Sequence, residues 1–390
     1  MRVEISAVFG VILILSAPLI SASESSYSFD DDGWLTQLAG PERLALGDEF
    51  GCHGMPEVDL LEDSGSVDAC VSYLNERISA SKWGENPLTF GVPDNSAEHP
   101  NSENLTDALY SAGIRVVDDS EFGEKSGILN SFEVNAGTLE KGIASIDSIL
   151  SSAKDEEIVV LSWIAEMEDL NVRRDRDVVS WIEDQSFWFT TPGELVSSKS
   201  SGNISLINYD DSTVTIEQPN QIAGLWATPG NSLISGVDMD GQNLEVISVT
   251  YSNGTELEEF DSMNRHLSEG WRYENGSLHL SLIPGTNATI QYNPNQSISN
   301  VSISNNTFNG LIPFIVYGEH VTDLFEWSSG FQNSSIRFTW LVEPRPVIQM
   351  DWVLPIIAGF VGLITIVQMR RLIKSDNPSP ELYRNLFESE

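Results

Sequence analysis

The chain has 390 residues, with 20 basic and 58 acidic side chains that give a net charge of −38. This charge argues against nucleic acid as a partner, because phosphate would be repelled. The hydrophobic content of 41% is ordinary for a chain that folds around a core, and the length leaves room for two or three domains.

The first segment, residues 1–23, predicts a secretory signal peptide. Arg2 precedes the apolar run Ala7–Ile20, and the small residues Ser21–Ser23 offer a cleavage point. The mature chain is therefore expected to be exported.

Residues 24–200 predict an α/β domain. Val67–Ala80 has the apolar periodicity of a helix, and Ile114–Val117 and Ile158–Ile164 are apolar runs typical of buried strands. Such alternation of helices and strands predicts a mainly parallel sheet or barrel.

Residues 203–343 predict an antiparallel β-sandwich. Short β-branched runs such as Thr213–Glu217, Ala288–Tyr292 and Ile336–Leu341 are separated by turn signals such as Asn275-Gly276. Eight of the nine Asn-x-Ser/Thr sequons fall in this region, which predicts a glycoprotein, although Asn- and Ser-rich loops also generate sequons by chance. The nine are Asn104, Asn203, Asn253, Asn275, Asn287, Asn295, Asn300, Asn305 and Asn333.

The C-terminal part predicts one membrane span at 351–369 and a cytoplasmic tail at 370–390. Trp352–Met369 carries no charge over eighteen residues, and basic residues follow it directly. We therefore expect a single-pass protein of the cell membrane with its body outside.

The chain has two cysteines, Cys52 and Cys70, both in the exported part. In an oxidising compartment they are expected to form a disulfide bond. A role as thiolate ligands of a metal is the alternative.

The stretch Gly47–Leu60 crowds a histidine, several carboxylates, glycines and a proline into one loop. His53 and Glu57 lie four positions apart, close enough to share a cation, with Asp48, Glu49 and Asp59 as nearby acceptors. The alternative interpretation is a polar surface turn with an incidental histidine.

This stretch resembles the second motif of the polysaccharide deacetylase (NodB-homology) family, which reads approximately G-H-E-I-G-N-H-T-x-S-H-P-D-L. The metal-binding histidine of that motif falls on His53, whereas Glu57 stands in place of the second one. Phe29–Gly33 resembles the first motif, T-F-D-D-G, which makes Asp31 the candidate base and Asp32 a candidate ligand. The acidic run is otherwise the solvated start of the mature chain.

Two further motifs of the family are matched with changes. Phe90–Asn95 resembles F-R-x-P-x-G, with Pro93 in step and Gly91 in place of the arginine. The buried strand of the fifth motif resembles Ile158–Ser162, where Ser162 replaces the general-acid histidine. Pro93 and Ser162 are therefore accessory candidates.

The resemblance implies a distorted, shortened (β/α) barrel of deacetylase type over residues 29–200. The predicted sandwich and the single C-terminal transmembrane helix follow this barrel. The resemblance also implies a metal-dependent hydrolase, with zinc as the expected ion, that cleaves N-acetyl or related C–N bonds of a cell-surface or extracellular polysaccharide. The alternative function is a catalytically inactive barrel that binds a glycan or a partner at the cell surface.

Overall fold

The computed structural model describes residues 27–37, 39–139, 143–164, 176–201, 205–210, 212–321, 333–347 and 353–376. The chain forms two compact units, Met1–Pro346 and Val347–Glu390. The predicted signal peptide and most of the predicted cytoplasmic tail lie outside the described residues.

The first part of the larger unit alternates helices with short strands, as the sequence predicts. Its helices are α1 (Gly33–Gln37), α2 (Ala39–Leu46), α3 (Gly65–Asn75), α4 (Ser102–Ser111), α5 (Ser120–Ser126), α6 (Ile146–Asp155), α7 (Arg176–Glu183) and α8 (Pro192–Ser201). Its strands are β1 (Glu49–Cys52), β2 (Thr89–Phe90), β3 (Val116–Val117), β4 (Asn130–Ser131), β5 (Val159–Ile164) and β6 (Phe187–Phe189). Local chemistry sets several boundaries: Asp119 caps α5, and Ser145 with Ser148 forms a capping box on α6.

The middle of the unit consists of antiparallel strands. They are β7 (Ser205–Tyr209), β8 (Thr213–Glu217), β9 (Gly230–Asp238), β10 (Val246–Tyr251), β11 (Gly270–Glu274), β12 (Ser277–Leu282), β13 (Asn287–Tyr292) and β14 (Ile298–Asn305). They form two four-stranded sheets in the orders β10-β13-β8-β7 and β11-β12-β9-β14. Apolar residues of both sheets share one hydrophobic core, so the two sheets form the predicted sandwich.

The hairpin between β11 and β12 shows why the strands of this region can be predicted from the sequence. Asn275 and Gly276 have φ of 52° and 80°, and the strands pair directly on either side of them. Both central residues of a two-residue hairpin turn need a positive φ, which asparagine and glycine tolerate best.

Two later strands return to the parallel sheet: β15 (Ile312–Val321) and β16 (Thr339–Val342). The complete eight-stranded sheet has the order β4-β3-β2-β1-β16-β15-β5, with β6 also paired to β15, and it curls into a half-barrel. The run Ile336–Leu341, predicted as part of the sandwich, therefore ends in a parallel strand that pairs residue by residue with β1. The prediction was wrong here because a short apolar strand carries no local sign of whether its neighbours are parallel.

The main core of the unit lies between the parallel sheet and its helices. The predicted disulfide between Cys52 and Cys70 is confirmed, with the two Cα atoms 6.1 Å apart. It joins the end of β1 to α3, and so it fixes the start of the loop that contains His53.

In the described part of the smaller unit, residues 353–376 form helix α9 (Val353–Asp376). Its segment Pro355–Leu372 is long and apolar enough to cross a membrane, judged by length and composition. The described side chains of this segment are exposed in the isolated chain.

Candidate metal centre at the carboxyl edge of the parallel sheet

The carboxyl ends of the parallel strands meet at one edge of the sheet. His53 follows β1, Asp118 follows β3, Glu343 follows β16, and His320 is the penultimate residue of β15. Parallel α/β sheets present their ligand-binding side chains at this edge, because every strand there ends in a loop on the same side.

His53 is held in place by the backbone around it. Its N–H donates to the carbonyl of Val342 at 3.1 Å, and the N–H of Gly91 donates to the carbonyl of Cys52 at 2.7 Å. A methyl group at position 91 would lie only 2.2 Å from Cδ2 of His53. Glycine at this position, where the deacetylase motif has arginine, therefore makes room for the imidazole.

His320 owes its position to an irregularity in β15. The register between β15 and β16 shifts between Gly318 and Val321, and His320 has a φ of 55°. This left-handed conformation is uncommon for a residue with a side chain, and such strain is concentrated at functional sites. It brings the imidazole into a hydrogen bond with the carboxylate of Glu343.

His53, His320 and Glu343 form a cluster whose potential ligand atoms all lie within 4.8 Å of one another. Nδ1 of His53 is 3.3 Å from Oε1 of Glu343, and the two imidazole rings have centroids 4.0 Å apart. Two histidines and one glutamate are a ligand set of catalytic zinc sites, which keep a further position open. Among the described residues, this is the group whose geometry suits a metal ion.

The electrostatics of the cluster favour the forms that bind metals. Burial, and then the neighbouring His320, lower the pKa of His53 to about 4, while Glu343 opposes this shift. Burial acts to raise the pKa of Glu343, but the hydrogen bond from His320 and the charges of both histidines outweigh it and lower the pKa. Neutral imidazole and ionised carboxylate are the states in which these groups coordinate a cation.

The cluster opens into a cavity of about 640 Å³. His53, Pro93, Asp118, Glu319 and His320 are among the residues that line it. Burial, and then the negative charge of Glu319, raise the pKa of Asp118 well above its usual range. Burial likewise raises the pKa of Glu319. The wall therefore offers carboxyl groups beside the candidate metal position, as acid–base chemistry requires.

Of the ligands predicted from the sequence, the structure brings His53 into the cluster. Glu57 is exposed and has a φ of 64°, and Asp31 is exposed near the start of α1. Asp32 is buried, and its carbonyl accepts the first backbone hydrogen bonds of α1. Asp31, Asp32 and Glu57 are not members of the cluster.

The accessory candidates have separate places. Pro93 lies in the wall of the cavity, as a residue of the candidate site would. Ser162 lies within β5 in register with Tyr317 of β15, and its backbone bonds to Gly137 and Leu139. Asp48, a suggested acceptor near His53, instead takes hydrogen bonds from Arg43 and Trp340.

Sequence reasoning missed His320, Glu343 and Asp118. His320 and Glu343 both lie in residues 203–343, which the sequence assigned to the sandwich. The structure instead places β15 and β16 in the parallel sheet, where β16 pairs with β1 and β15 pairs with β16. For Asp118 a signal existed, since it directly follows the predicted strand Ile114–Val117.

Comparisons with protein-family models, with curated proteins and with solved structures found no match for this chain. Its function is therefore inferred from the site itself.

Proposed function

We propose that the protein is a metal-dependent hydrolase with its centre at His53, His320 and Glu343. The observation that carries this proposal is the convergence of two imidazoles and one carboxylate within 4.8 Å at the carboxyl edge of the parallel sheet. A divalent ion such as zinc on these ligands would polarise a carbonyl group and increase the acidity of water. The cavity beside it leaves room for a substrate.

The proposed reaction is the hydrolysis of N-acetyl groups, or of related C–N bonds, on a cell-surface or extracellular polysaccharide. It is supported by the likeness of Gly47–Leu60 and Phe90–Asn95 to motifs of the polysaccharide deacetylases, since His53 and Pro93 of these segments both line the cavity. In this proposal the half-barrel is of deacetylase type, and His320 and Glu343 take the ligand positions first assigned to Asp32 and Glu57.

The proposed location is the cell membrane, with the larger unit outside. The apolar segment Pro355–Leu372 and the disulfide between Cys52 and Cys70 support this location. Protease added to intact cells should digest the larger unit and spare a tag at Glu390. Loss of the tag together with the larger unit would contradict the proposed orientation.

A second candidate function is the binding of a glycan or a surface partner without chemistry. It is favoured by Ser162, which stands where the related motif has its general acid and whose backbone hydrogen bonds place it within the sheet. A serine hydroxyl does not donate a proton readily near neutral pH.

The test uses the full chain, purified in detergent, with zinc as the probe. We expect about one bound zinc per wild-type chain. Mutation of a residue that only orients a metal ligand lowers metal affinity by roughly 10- to 100-fold. His320→Ala removes a ligand itself, so it should weaken zinc binding by at least about 100-fold. His99→Ala, which changes a histidine outside the cluster, is the matched control and should bind zinc like wild type.

Acetate release from an N-acetylated oligosaccharide then separates the two functions. Release by the zinc-loaded wild type, and its loss in His320→Ala, would support the hydrolase. Zinc binding together with glycan binding but no acetate would favour the binding protein. A wild-type chain that binds no zinc would refute the metal centre.

A further inference from the structure

We propose that Asp118 transfers the proton during C–N cleavage, taking it from the attacking water and giving it to the leaving nitrogen. This inference rests on the proposed function. It assigns to one residue the base role that the sequence motifs suggested for Asp31 and the acid role that they give to the position of Ser162. It concerns a residue that lies next to the candidate metal ligands without belonging to their cluster.

The position of Asp118 is fixed by β3 and by one backbone contact. Asp118 is the first residue after β3, and its Oδ1 accepts a hydrogen bond from the N–H of Val92 at 2.9 Å. This contact orients the carboxyl group, so that it does not need to be ordered when a substrate binds.

The second oxygen of Asp118 faces the same space as the imidazole of His53. A methyl group at position 91 would meet Oδ2 of Asp118 at 3.0 Å and Cδ2 of His53 at 2.2 Å. Both side chains also line the cavity. A substrate carbonyl held at the metal position would therefore have the Asp118 carboxyl beside it.

The other carboxyl groups of the cavity wall are less suited to this task. Those that line the cavity but are exposed belong to Asp94, Glu121 and Glu133. Asp119 also lines it, but its carboxylate accepts a hydrogen bond from the N–H of Phe122 at 2.8 Å and caps α5. Glu319 lines the cavity but directly precedes His320, whose backbone is already strained. The backbone of Ser162 is bonded into the sheet around β5.

The proton balance closes with one carboxyl group. Water attacks the acetyl carbon, and one of its protons moves to Oδ2 of Asp118. The C–N bond then breaks, and the leaving nitrogen takes that proton from Asp118, which regenerates the carboxylate. The products are an amine and acetic acid, which loses its own proton to water. A metal on the cluster would supply positive charge for the oxyanion between the two steps.

The experiment compares Asp118→Asn with Asp147→Asn in the zinc-loaded full chain. Asparagine keeps the shape of Asp118 and can still accept the hydrogen bond from Val92, so zinc binding should stay within about threefold of wild type. Asp147 is an exposed residue in the first turn of α6 that does not line the cavity, so Asp147→Asn controls for the loss of one negative charge.

Two substrates distinguish proton transfer from a structural role. For an N-acetylated chitooligosaccharide, Asp118→Asn should lower kcat by about 10²–10⁴-fold with little change in KM. For p-nitrophenyl acetate the loss should be at least about tenfold smaller, because nitrophenolate leaves without a proton and only the removal of a proton from water still needs Asp118. Asp147→Asn should lower neither rate by more than about twofold.

Equal losses on both substrates, an unchanged amide rate, or loss of zinc in Asp118→Asn would each overturn the assignment while leaving the hydrolase intact. Asp118→Glu is a second variant, which retains a carboxyl group and should recover part of the amide rate. If the wild type itself releases no acetate, the proposed function fails, and the role of Asp118 fails with it.

Discussion

The two ends of β1 carry similar polar residues but use them differently. At the amino end, Asp48 is fully buried and is bonded by Arg43 at 2.6 and 2.8 Å and by Trp340 at 2.7 Å. At the carboxyl end, His53 meets Glu343 beside an open cavity. Polar groups with fixed internal partners stabilise the fold, whereas a polar cluster that faces a cavity can exchange its partners for a ligand.

Glu49, next to Asp48, shows the same closed arrangement. Its carboxyl accepts hydrogen bonds from Thr89 at 2.5 Å and from the N–H of Gly193 at 2.9 Å. Burial raises its pKa to about 7, although these hydrogen bonds act in the opposite direction. Ionisable residues near a candidate motif are thus insufficient evidence for a site, because their partners decide whether they are available.

The largest expected effect is a loss of stability when Asp48, at the amino end of β1, loses its partner Arg43. Arg43→Met removes both guanidinium hydrogen bonds to Asp48 and leaves a buried carboxylate without its cation. The free energy of unfolding should fall by about 3–5 kcal/mol, measured by urea denaturation. Arg176→Met, at an exposed arginine, is the control and should change the free energy of unfolding by less than about 0.5 kcal/mol. If Arg43→Met abolished zinc binding in chains that remain folded, the two ends would not be independent.

The second largest effect is expected from the disulfide between Cys52 and Cys70, at the carboxyl end of β1. Replacing Cys52 and Cys70 by alanine removes a disulfide that spans 18 positions. Chain entropy predicts a loss of about 3 kcal/mol in the free energy of unfolding. Reduction of the wild type should produce a similar loss, and reduction of the double variant should produce none. Stability that is unchanged in the double variant would show that packing alone holds β1 to α3.

A smaller effect is expected from Gly91→Ala. The added methyl group would lie 2.2 Å from Cδ2 of His53 and should displace the imidazole. Zinc affinity should fall by about 10- to 100-fold, as for other changes that reorient a ligand. Gly33→Ala is the matched control, because a methyl group there meets nothing within 4 Å. Wild-type affinity in Gly91→Ala would mean that His53 does not need its present position.

The smallest expected effect is on the pH dependence of stability, and it comes from His266, a histidine outside the cluster. Its Nε2 lies 2.7 Å from the carbonyl oxygen of Ser335, and burial, followed by the charge of Arg337, lowers its pKa to about 4. An unfolded histidine has a pKa of about 6.5, so the unfolded state binds more protons between these two values. The stability contributed by neutral His266 is therefore present above pH 6.5 and is lost as the pH falls to about 4.

His266→Gln should remove this part of the pH dependence. Between pH 6.5 and 4, the wild type should lose about 1–2 kcal/mol more than the variant, allowing for partial exposure of the ring. Denaturation curves at several pH values measure the difference, and zinc binding at neutral pH should not change. If the free energy of unfolding changed equally with pH in the wild type and in His266→Gln, the lowered pKa of His266 would be contradicted.

Local patterns were sufficient to predict much of this fold. The alternation in Thr213–Glu217 and Ala288–Tyr292 and the turn at Asn275-Gly276 predicted antiparallel strands that the structure contains. The apolar C-terminal segment predicted a helix able to span a membrane. The pairing of the two cysteines followed from their number and the expected compartment. In each case the information lies in neighbouring residues or in composition.

The metal centre depended on the tertiary structure. The sequence pointed to His53, but its partners His320 and Glu343 come from strands near the other end of the larger unit. Those strands lie beside β1 because parallel pairing joins segments that are distant in sequence, and its register is set by the shared core. The sequence determined which residues have the chemistry to bind a metal, and only the order of strands in the sheet decided which of them meet.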